Sequence, residues 1–376
     1  MIKCYRCGNK DIRFFGIRSD GLYCRKCVSF QGEEMEGFLC EPSQYEYNLS
    51  YTLSKEQISI SKKVLLSFKR KKDVLIHAVC GAGKTELVFE TISYALKNRL
   101  KVGFTIPRKD VVIDLYERFK DVFKNNKVVA VYGGHTKELD ADIILLTTHQ
   151  LYRYKKCFDL LIIDETDAFP FDGNEVLNAM FLNALKGTYV MLSATPNENM
   201  MRLLNERNGV YLKLLNRYHN HPLPVPKAII TVVDPLIFFM FHFRKYYYDK
   251  FPILVFVPTI NEGKQLFKAI NVAFKEGKFV SSRTKERDKI IQDFKEGKYR
   301  YLITTSILER GITIKDLQVI VYKSDHEIFS KATLIQIAGR VGRKKDAPYG
   351  DILFISQNQS LEIEEAIKEI EVINDG

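Results

Sequence analysis

Several short runs of this chain are apolar almost from end to end and do not alternate with polar residues. They are Val74–Val79, Val102–Ile106, Val128–Tyr132, Ile143–Thr147, Leu160–Ile163 and Tyr189–Leu192. A strand that is apolar on both faces must be covered on both faces. With helical patterns between the strands, such as residues 109–123, the arrangement is a parallel sheet with helices packed on either side. The pattern stops at residues 216–228, where Pro222, Pro224 and Pro226 stiffen the backbone into an extended connection. It then resumes with Ile253–Val257 and Tyr301–Thr305. The chain therefore reads as an α/β protein with two parallel-sheet domains in tandem, at 51–215 and 229–376, joined by the linker 216–228.

The first run ends in Ala78-Val79-Cys80-Gly81-Ala82-Gly83-Lys84-Thr85. A strand, a glycine loop and a helix start together make a phosphate cradle. Gly81 and Gly83 let the backbone turn tightly and aim N–H groups at phosphate oxygens. Ala82 lies between them. Lys84 is placed to reach the outer phosphates and Thr85 to bring its hydroxyl to Mg2+. The general pattern G-x-x-x-x-G-K-[ST] has glycine where this chain has Ala78. Upstream, Ser54 and Gln57 stand in capping-box register. Gln57 has two open readings, a helix cap and a reader of the adenine edge through its carboxamide.

Leu160–Ile163 runs into Asp164-Glu165-Thr166-Asp167. Carboxylates at the carboxyl end of a parallel strand lie at the ligand crevice. Asp164 suits a Mg2+ held through water, and Glu165 suits a general base for the attacking water. Tyr189–Leu192 leads into Ser193-Ala194-Thr195.

Cys4-x-x-Cys7 and Cys24-x-x-Cys27 open the chain, with 16 residues between the pairs. Two such knuckles close a four-thiolate, tetrahedral Zn2+ site with no open position for catalysis. So small a module depends on metal for its folding energy. Its first thirty residues carry seven basic and two acidic side chains among Tyr5, Phe14, Phe15, Tyr23 and Phe30. Guiding a nucleic-acid strand and filling a small core both remain open for these aromatics. Residues 1–50 thus form a zinc module and an acidic linker.

Net charge is +11, and residues 51–350 alone carry +17, which suits a polyanionic partner. No signal peptide is evident. The most apolar stretch, Leu236–Phe241, is far short of the ~20 residues that span a bilayer. A cytoplasmic protein is expected, with attachment to the inner face of the membrane through a partner left open. The aromatic stretch 238–248 is expected to pack as a helix on the second sheet, and Leu361–Ile370 as an amphipathic helix.

Ala78-x-x-Gly81-x-Gly83-Lys84-Thr85, Asp164-Glu165-Thr166-Asp167 and Ser193-Ala194-Thr195 resemble motifs I, II and III of the superfamily 2 helicases. Alanine at the first position of motif I is common there. The resemblance implies two RecA-like domains closing on ATP, with Ser193 and Thr195 coupling nucleotide state to nucleic-acid grip. Thr105-Ile106-Pro107-Arg108 resembles motif Ia, and Thr147-Thr148-His149-Gln150 motif Ib. These imply strand contacts by Thr105, Pro107, Arg108 and Thr148, with the Gly133-Gly134 turn as a further candidate. Ile253–Thr259 resembles motif IV. Thr304 and Thr305 lead into a segment similar to motif V, Ser306–Asp316. By these matches Thr259, Thr304 and Thr305 face DNA, and Glu309, Gly311 and Asp316 face nucleotide. Gln336-Ile337-Ala338-Gly339-Arg340-Val341-Gly342-Arg343 resembles motif VI, with Gln336 where many members have histidine. It implies a nucleotide contact by Gln336 and arginine fingers at Arg340 and Arg343, a role that a bidentate guanidinium fills better than lysine.

The whole chain resembles the late-competence DNA-uptake ATPases. The matching features are the four-cysteine module before the motor, Asp164–Phe171, and His219 with the Pro222–Pro226 linker. That resemblance implies a cytoplasmic ATPase, with ATP, Mg2+ and Zn2+, that pulls single-stranded DNA through a membrane channel beside other competence proteins. Oligomeric state is left open. So are duplex unwinding and an ATP-switched clamp that binds DNA without stepping.

Overall fold

A computed structural model of the protein describes residues 2–19, 21–36, 46–166, 173–219, 221–305 and 313–375. The chain divides into two compact units. One is Met1–Ala78 with Gly83–Leu214, and the other is Val79–Ala82 with Leu215–Gly376.

The first unit begins with a hairpin of β1 (Phe15–Arg18) and β2 (Gly21–Cys24), then the short β3 (Met35–Glu36). Helix α1 (Lys55–Lys69) starts at Ser54, whose capping box with Gln57 is complete. There follow β4 (Val74–Ala78), α2 (Phe89–Lys97), β5 (Val102–Ile106), α3 (Lys109–Val122), β6 (Val128–Val131) and β7 (Ile143–Thr147). A 3-10 segment, Thr148–Arg153, leads to β8 (Tyr154–Lys155), β9 (Phe158–Asp164), α4 (Glu175–Ala184), β10 (Leu185–Ser193), α5 (Glu198–Glu206) and β11 (Val210–Leu214).

Seven of these strands form one sheet in the order β11-β4-β10-β9-β5-β7-β6, every pair parallel. All five residues of β5 and of β7 are buried, as a sheet covered on both faces requires. The buried carboxylate of Asp73 ties the entrance of β4 to its neighbours. It accepts from the Tyr189 backbone N–H at 2.9 Å and pairs with Arg207.

The N-terminal residues are packed onto this unit and do not stand apart from it. β3 pairs with β8, Met35 against Tyr154 and Glu36 against Lys155. The stretch expected to be linker therefore begins as a strap. Gly32 makes it possible. Its φ of +145° lies in the region that glycine tolerates, and a Cβ there would lie 2.6 Å from the Arg153 guanidinium.

The second unit contains β12 (Lys227–Ile230), α6 (Pro235–Tyr248), β13 (Ile253–Phe256), α7 (Ile260–Asn271), β14 (Gly277–Val280), α8 (Arg287–Lys295) and β15 (Tyr301–Thr304). It continues with β16 (Gln318–Tyr322), α9 (Lys331–Ala338), β17 (Ile352–Ser356) and α10 (Leu361–Asp375). Its sheet is also parallel throughout, in the order β12-β17-β16-β13-β15-β14. Helix α6 has Pro235 in its first turn and the Asp234 side chain as cap. Phe239, Phe243 and Tyr246 recur at helical spacing and are buried. Phe243 meets Tyr301 edge-on at 5.1 Å, and Phe239 meets Tyr322 at 5.5 Å. Packing on the sheet thus accounts for Phe239, Phe243 and Tyr246, as their spacing predicts, while Phe238, Phe241 and Tyr248 are exposed. Helix α10 buries Ile363, Ala366, Ile370 and Ile373 on one face, extending five residues beyond the expected helix end at Ile370.

Phe239 is fully buried among these rings. Phe239→Ala should cost the second unit about 3–5 kcal/mol, the usual range for losing a buried phenyl ring. Urea denaturation followed by the second unit's tyrosine signal measures it.

Candidate nucleotide, nucleic-acid and metal sites

The glycine loop leaves β4 at the carboxyl edge of the sheet. Gly81 has φ +86° and Gly83 φ +72°, left-handed values that a side chain would strain. Ala78 is fully buried at the strand end, Ala82 is buried, and the Ala82 N–H bonds back to the Val79 carbonyl at 3.1 Å. Lys84 is the first residue of helical geometry, and Thr85 opens a 3-10 turn, Thr85–Val88, that runs into α2. The chain thus has, in order, a turn of backbone N–H groups, a half-buried ammonium and a hydroxyl at a helix start.

Gln57 serves its helix cap, accepting from the Ser54 N–H at 2.8 Å through its carboxamide oxygen. The nitrogen of the same carboxamide lies 2.5 Å from where a Cβ on Gly83 would stand. The cap and the loop therefore share this side chain. Nearby, the buried Glu86 accepts from Tyr51 Oη at 2.6 Å and pairs with Arg118. Arg118 is held above its ordinary pKa by Glu86 despite the opposing effect of burial. None of these three was singled out from the sequence.

Strand β10 lies beside β4 and β9 beside β10, so their carboxyl ends lie on the sheet edge from which the loop leaves. Asp164 ends β9, and its Oδ1 accepts from the Glu165 N–H at 2.8 Å. Glu165 has φ +57°, an uncommon conformation for a residue with a side chain. Ser193 ends β10 fully buried, and its Oγ accepts from the Thr195 N–H at 3.0 Å. Asp167 and the rest of 167–172 lie outside the described residues.

The other half of the sheet, β5-β7-β6, carries the segments with the strand-contact candidates. Thr105 lies near the end of β5 and Thr148 directly follows β7. Both are fully buried, and neither hydroxyl has a hydrogen-bond partner among the described residues. These hydroxyls are therefore not at the surface. Pro107 is buried, and Arg108 is half-buried and paired with Asp110 at 3.0 Å. Gly133 and Gly134 follow β6, both exposed and with open space where a Cβ would lie.

In the second unit Thr259 caps α7, accepting from the Glu262 N–H at 3.2 Å. Thr304 is fully buried at the end of β15, and Thr305 is half-buried beside it. Glu309 and Gly311 lie outside the described residues. Asp316, φ +55°, sits at the opposite edge of this sheet, before β16. Motif VI returns to that same edge. A Cβ on Gly350 would lie 2.5 Å from the Leu317 carbonyl and 2.6 Å from Val341. Gln336 accepts from the Cys80 thiol at 3.1 Å. Arg340 is 2% exposed, and Arg343 donates from Nε to the Gly339 carbonyl at 2.7 Å.

The four N-terminal cysteines are buried, form no disulfides, and have sulfurs within 4.8 Å of one another. Cys4 and Cys27 are 3.6 Å apart and Cys7 and Cys24 are 3.7 Å apart. Tetrahedral zinc with bonds of about 2.3 Å places its thiolates about 3.8 Å apart, so the cluster fits that ion. Asn9 donates to Cys24 Sγ at 3.6 Å, an outer contact that favours a thiolate. Around the cluster, Asn183 donates to the Tyr5 carbonyl at 2.9 Å, Tyr152 to that of Gln31 at 2.5 Å, and Arg153 to that of Glu33 at 2.9 Å. Phe30 stacks on His149 at 6.1 Å. The module thus grips the 3-10 segment that follows β7.

Residues 50–198 match the family described as "Type III restriction enzyme, res subunit", and residues 242–345 match "Helicase conserved C-terminal domain". The chain is 32% identical to "Competence protein ComFA" of Streptococcus pneumoniae, with 99% of this chain and 90% of that protein covered. It is 33% identical to "Competence protein ComFA" of Bacillus subtilis, covering 99% and 86%. The chain belongs to the ComFA family of competence proteins. Among solved structures it is similar to S. cerevisiae Dbp5 bound to RNA and ADP BeF3, with TM-score 0.60 at 17% identity over 85% of this chain and 91% of that one. The two units are therefore RecA-like domains, and the protein is a helicase-type ATPase whose domains imply ATP and Mg2+. Among the described residues, no helix is long and apolar enough to cross a membrane.

Cys24→Ser should lower bound zinc, measured by metal analysis, to well below one ion per chain. Hydrogen exchange should then quicken through residues 2–36 and the 3-10 segment 148–153, while amides of β5, β7 and β9 stay protected.

Proposed function

We propose that this protein is an ATP-driven translocase on single-stranded DNA that powers uptake of transforming DNA into the cytoplasm. One observation carries the reading. In the first sheet the loops suited to nucleotide leave β4, β10 and β9, and the loops suited to a phosphate backbone leave β5, β7 and β6. Both sets therefore share one rigid edge, so a change at one set is felt at the other.

In this reading Lys84 and the N–H groups from Gly81 to Gly83 hold the outer phosphates of ATP. Thr85 and Asp164 hold Mg2+, Glu165 orients and deprotonates the attacking water, and Gln57 reads the base. Arg340 and Arg343 supply cationic stabilisation as charge develops on the transferred phosphoryl group. Ser193 and Thr195 pass the nucleotide state across the sheet. Motif Ia and Ib segments and those near Thr259, Thr304 and Thr305 grip the strand by its backbone, without reading sequence. Zn2+ held by Cys4, Cys7, Cys24 and Cys27 is structural. The membrane channel and other competence proteins are partners in this reading, met at the inner membrane face.

The test is ATPase rate with single-stranded DNA, duplex DNA and single-stranded RNA of several lengths. Stimulation by single-stranded DNA that grows with length is expected of a stepping motor. Stimulation independent of length points to a clamp, and stimulation by RNA alone sinks the reading. Glu165→Gln should lower turnover by about 10²-fold or more while ATP still binds, the scale of losing a general base.

A further inference from the structure

The three residues Arg217-Tyr218-His219 lie in the segment read from sequence as a connection. In the structure they grip the end of motif VI. Arg217 donates from Nη1 to the Val341 carbonyl at 3.0 Å and to that of Gly342 at 2.7 Å. Tyr218 donates from its hydroxyl to the Arg343 carbonyl at 3.1 Å. His219 contacts the Gly342 carbonyl through Nε2 at 3.1 Å, and its Nδ1 accepts the His221 N–H at 3.2 Å. With Nδ1 accepting, Nε2 carries the proton and is the donor. Gly342 has φ +66°, so this loop has a fixed, left-handed turn at the gripped position.

Arg217 is 2% exposed, yet Nε and Nη2 have no hydrogen-bond partner among the described residues. No described carboxylate forms an ion pair with it, and burial together with Arg343 depresses its pKa to about 10. A buried cation with two unpaired donors is strongly unfavourable, and an anion at those donors relieves it. The side chain lies beside the first half of the glycine loop, which belongs to the same unit. A Cβ on Gly81 would lie 3.8 Å from Arg217 Cγ, Cδ and Nε, and the Tyr218 N–H reaches the Gly81 carbonyl at 3.4 Å.

We propose that Arg217 is a third phosphate-binding arginine of this ATPase, holding the Val341–Gly342 turn with one edge of its guanidinium and the terminal phosphate of ATP with the other. The fork geometry suits the task, because two N–H groups can meet one phosphoryl group while Nη1 keeps its carbonyls. One side chain then registers the terminal phosphate and positions the turn that carries Arg343. The inference rests on the reading that ATP is held at Gly81–Thr85.

Fluorescent non-hydrolysable ATP and fluorescent ADP, titrated against wild type, Arg217→Gln and Arg217→Lys, test it. Glutamine keeps a donor for the carbonyls but loses the charge and the fork. Arg217→Gln should weaken the triphosphate by about tenfold and leave ADP nearly unchanged, with Arg217→Lys in between. Circular dichroism and nucleotide-free binding of single-stranded DNA should match wild type. Equal losses for both nucleotides, or no loss for either, would overturn the proposal. A wild-type protein that binds neither nucleotide, or a Lys84→Ala variant that binds both as wild type does, would instead overturn the nucleotide reading beneath it.

Discussion

The functional arrangement depends on strand direction. All seven strands of the first sheet run the same way, so every strand delivers its following loop to one edge. Parallel pairing needs a crossover between neighbours, and the helices that make those crossovers bury both faces. The same requirement makes the strands apolar throughout and gathers the polar loops in one row. A single β9 stands between the glycine-loop side and the β5-β7-β6 side, with β10 and β5 as its neighbours. Asp164, at the end of β9, is therefore one strand away from Thr105 on β5.

The second sheet uses the same rule differently. Thr259 and Thr304 leave adjacent strands at the carboxyl edge, whereas Asp316 and the motif VI turn occupy the other edge. A helix that follows a strand runs back across the sheet, so α9 delivers Arg340 and Arg343 to the edge where β16 begins. The two groups of candidates in this unit are separated by the length of a strand, with the sheet as the rigid body between them.

Parts of this were legible in the residues because the physics is local. Val102–Ile106 and Ile143–Thr147 carry their burial on both faces in their own composition. The cysteine pairs carry their metal geometry in their spacing, and the aromatic run from Phe238 carries its helix in its period. Other parts depend on residues far along the chain. Nothing near Arg217 says that its guanidinium is buried, because the groups that bury it lie 124 and 125 residues away. The hydroxyls of Thr105 and Thr148 look available in a strand-end motif, and only packing shows that they face inward. Gln57 shows how two readings of one residue can coexist, since its oxygen caps α1 while its nitrogen lies against Gly83.

The strap at Met35–Glu36 sets an order of events during synthesis. The four cysteines leave the ribosome well before the residues they dock on. Their docking partners arrive much later: Tyr154 and Lys155 for β3, then Asn183 for the carbonyls of Tyr5 and Arg6. At about 5–20 residues per second, the head waits on the order of ten seconds for its seat. Throughout that interval its hydrophobic support is unmade, and only a metal at the four thiolates would hold its shape. A metal held by these four thiolates would therefore serve the nascent chain before it serves the enzyme.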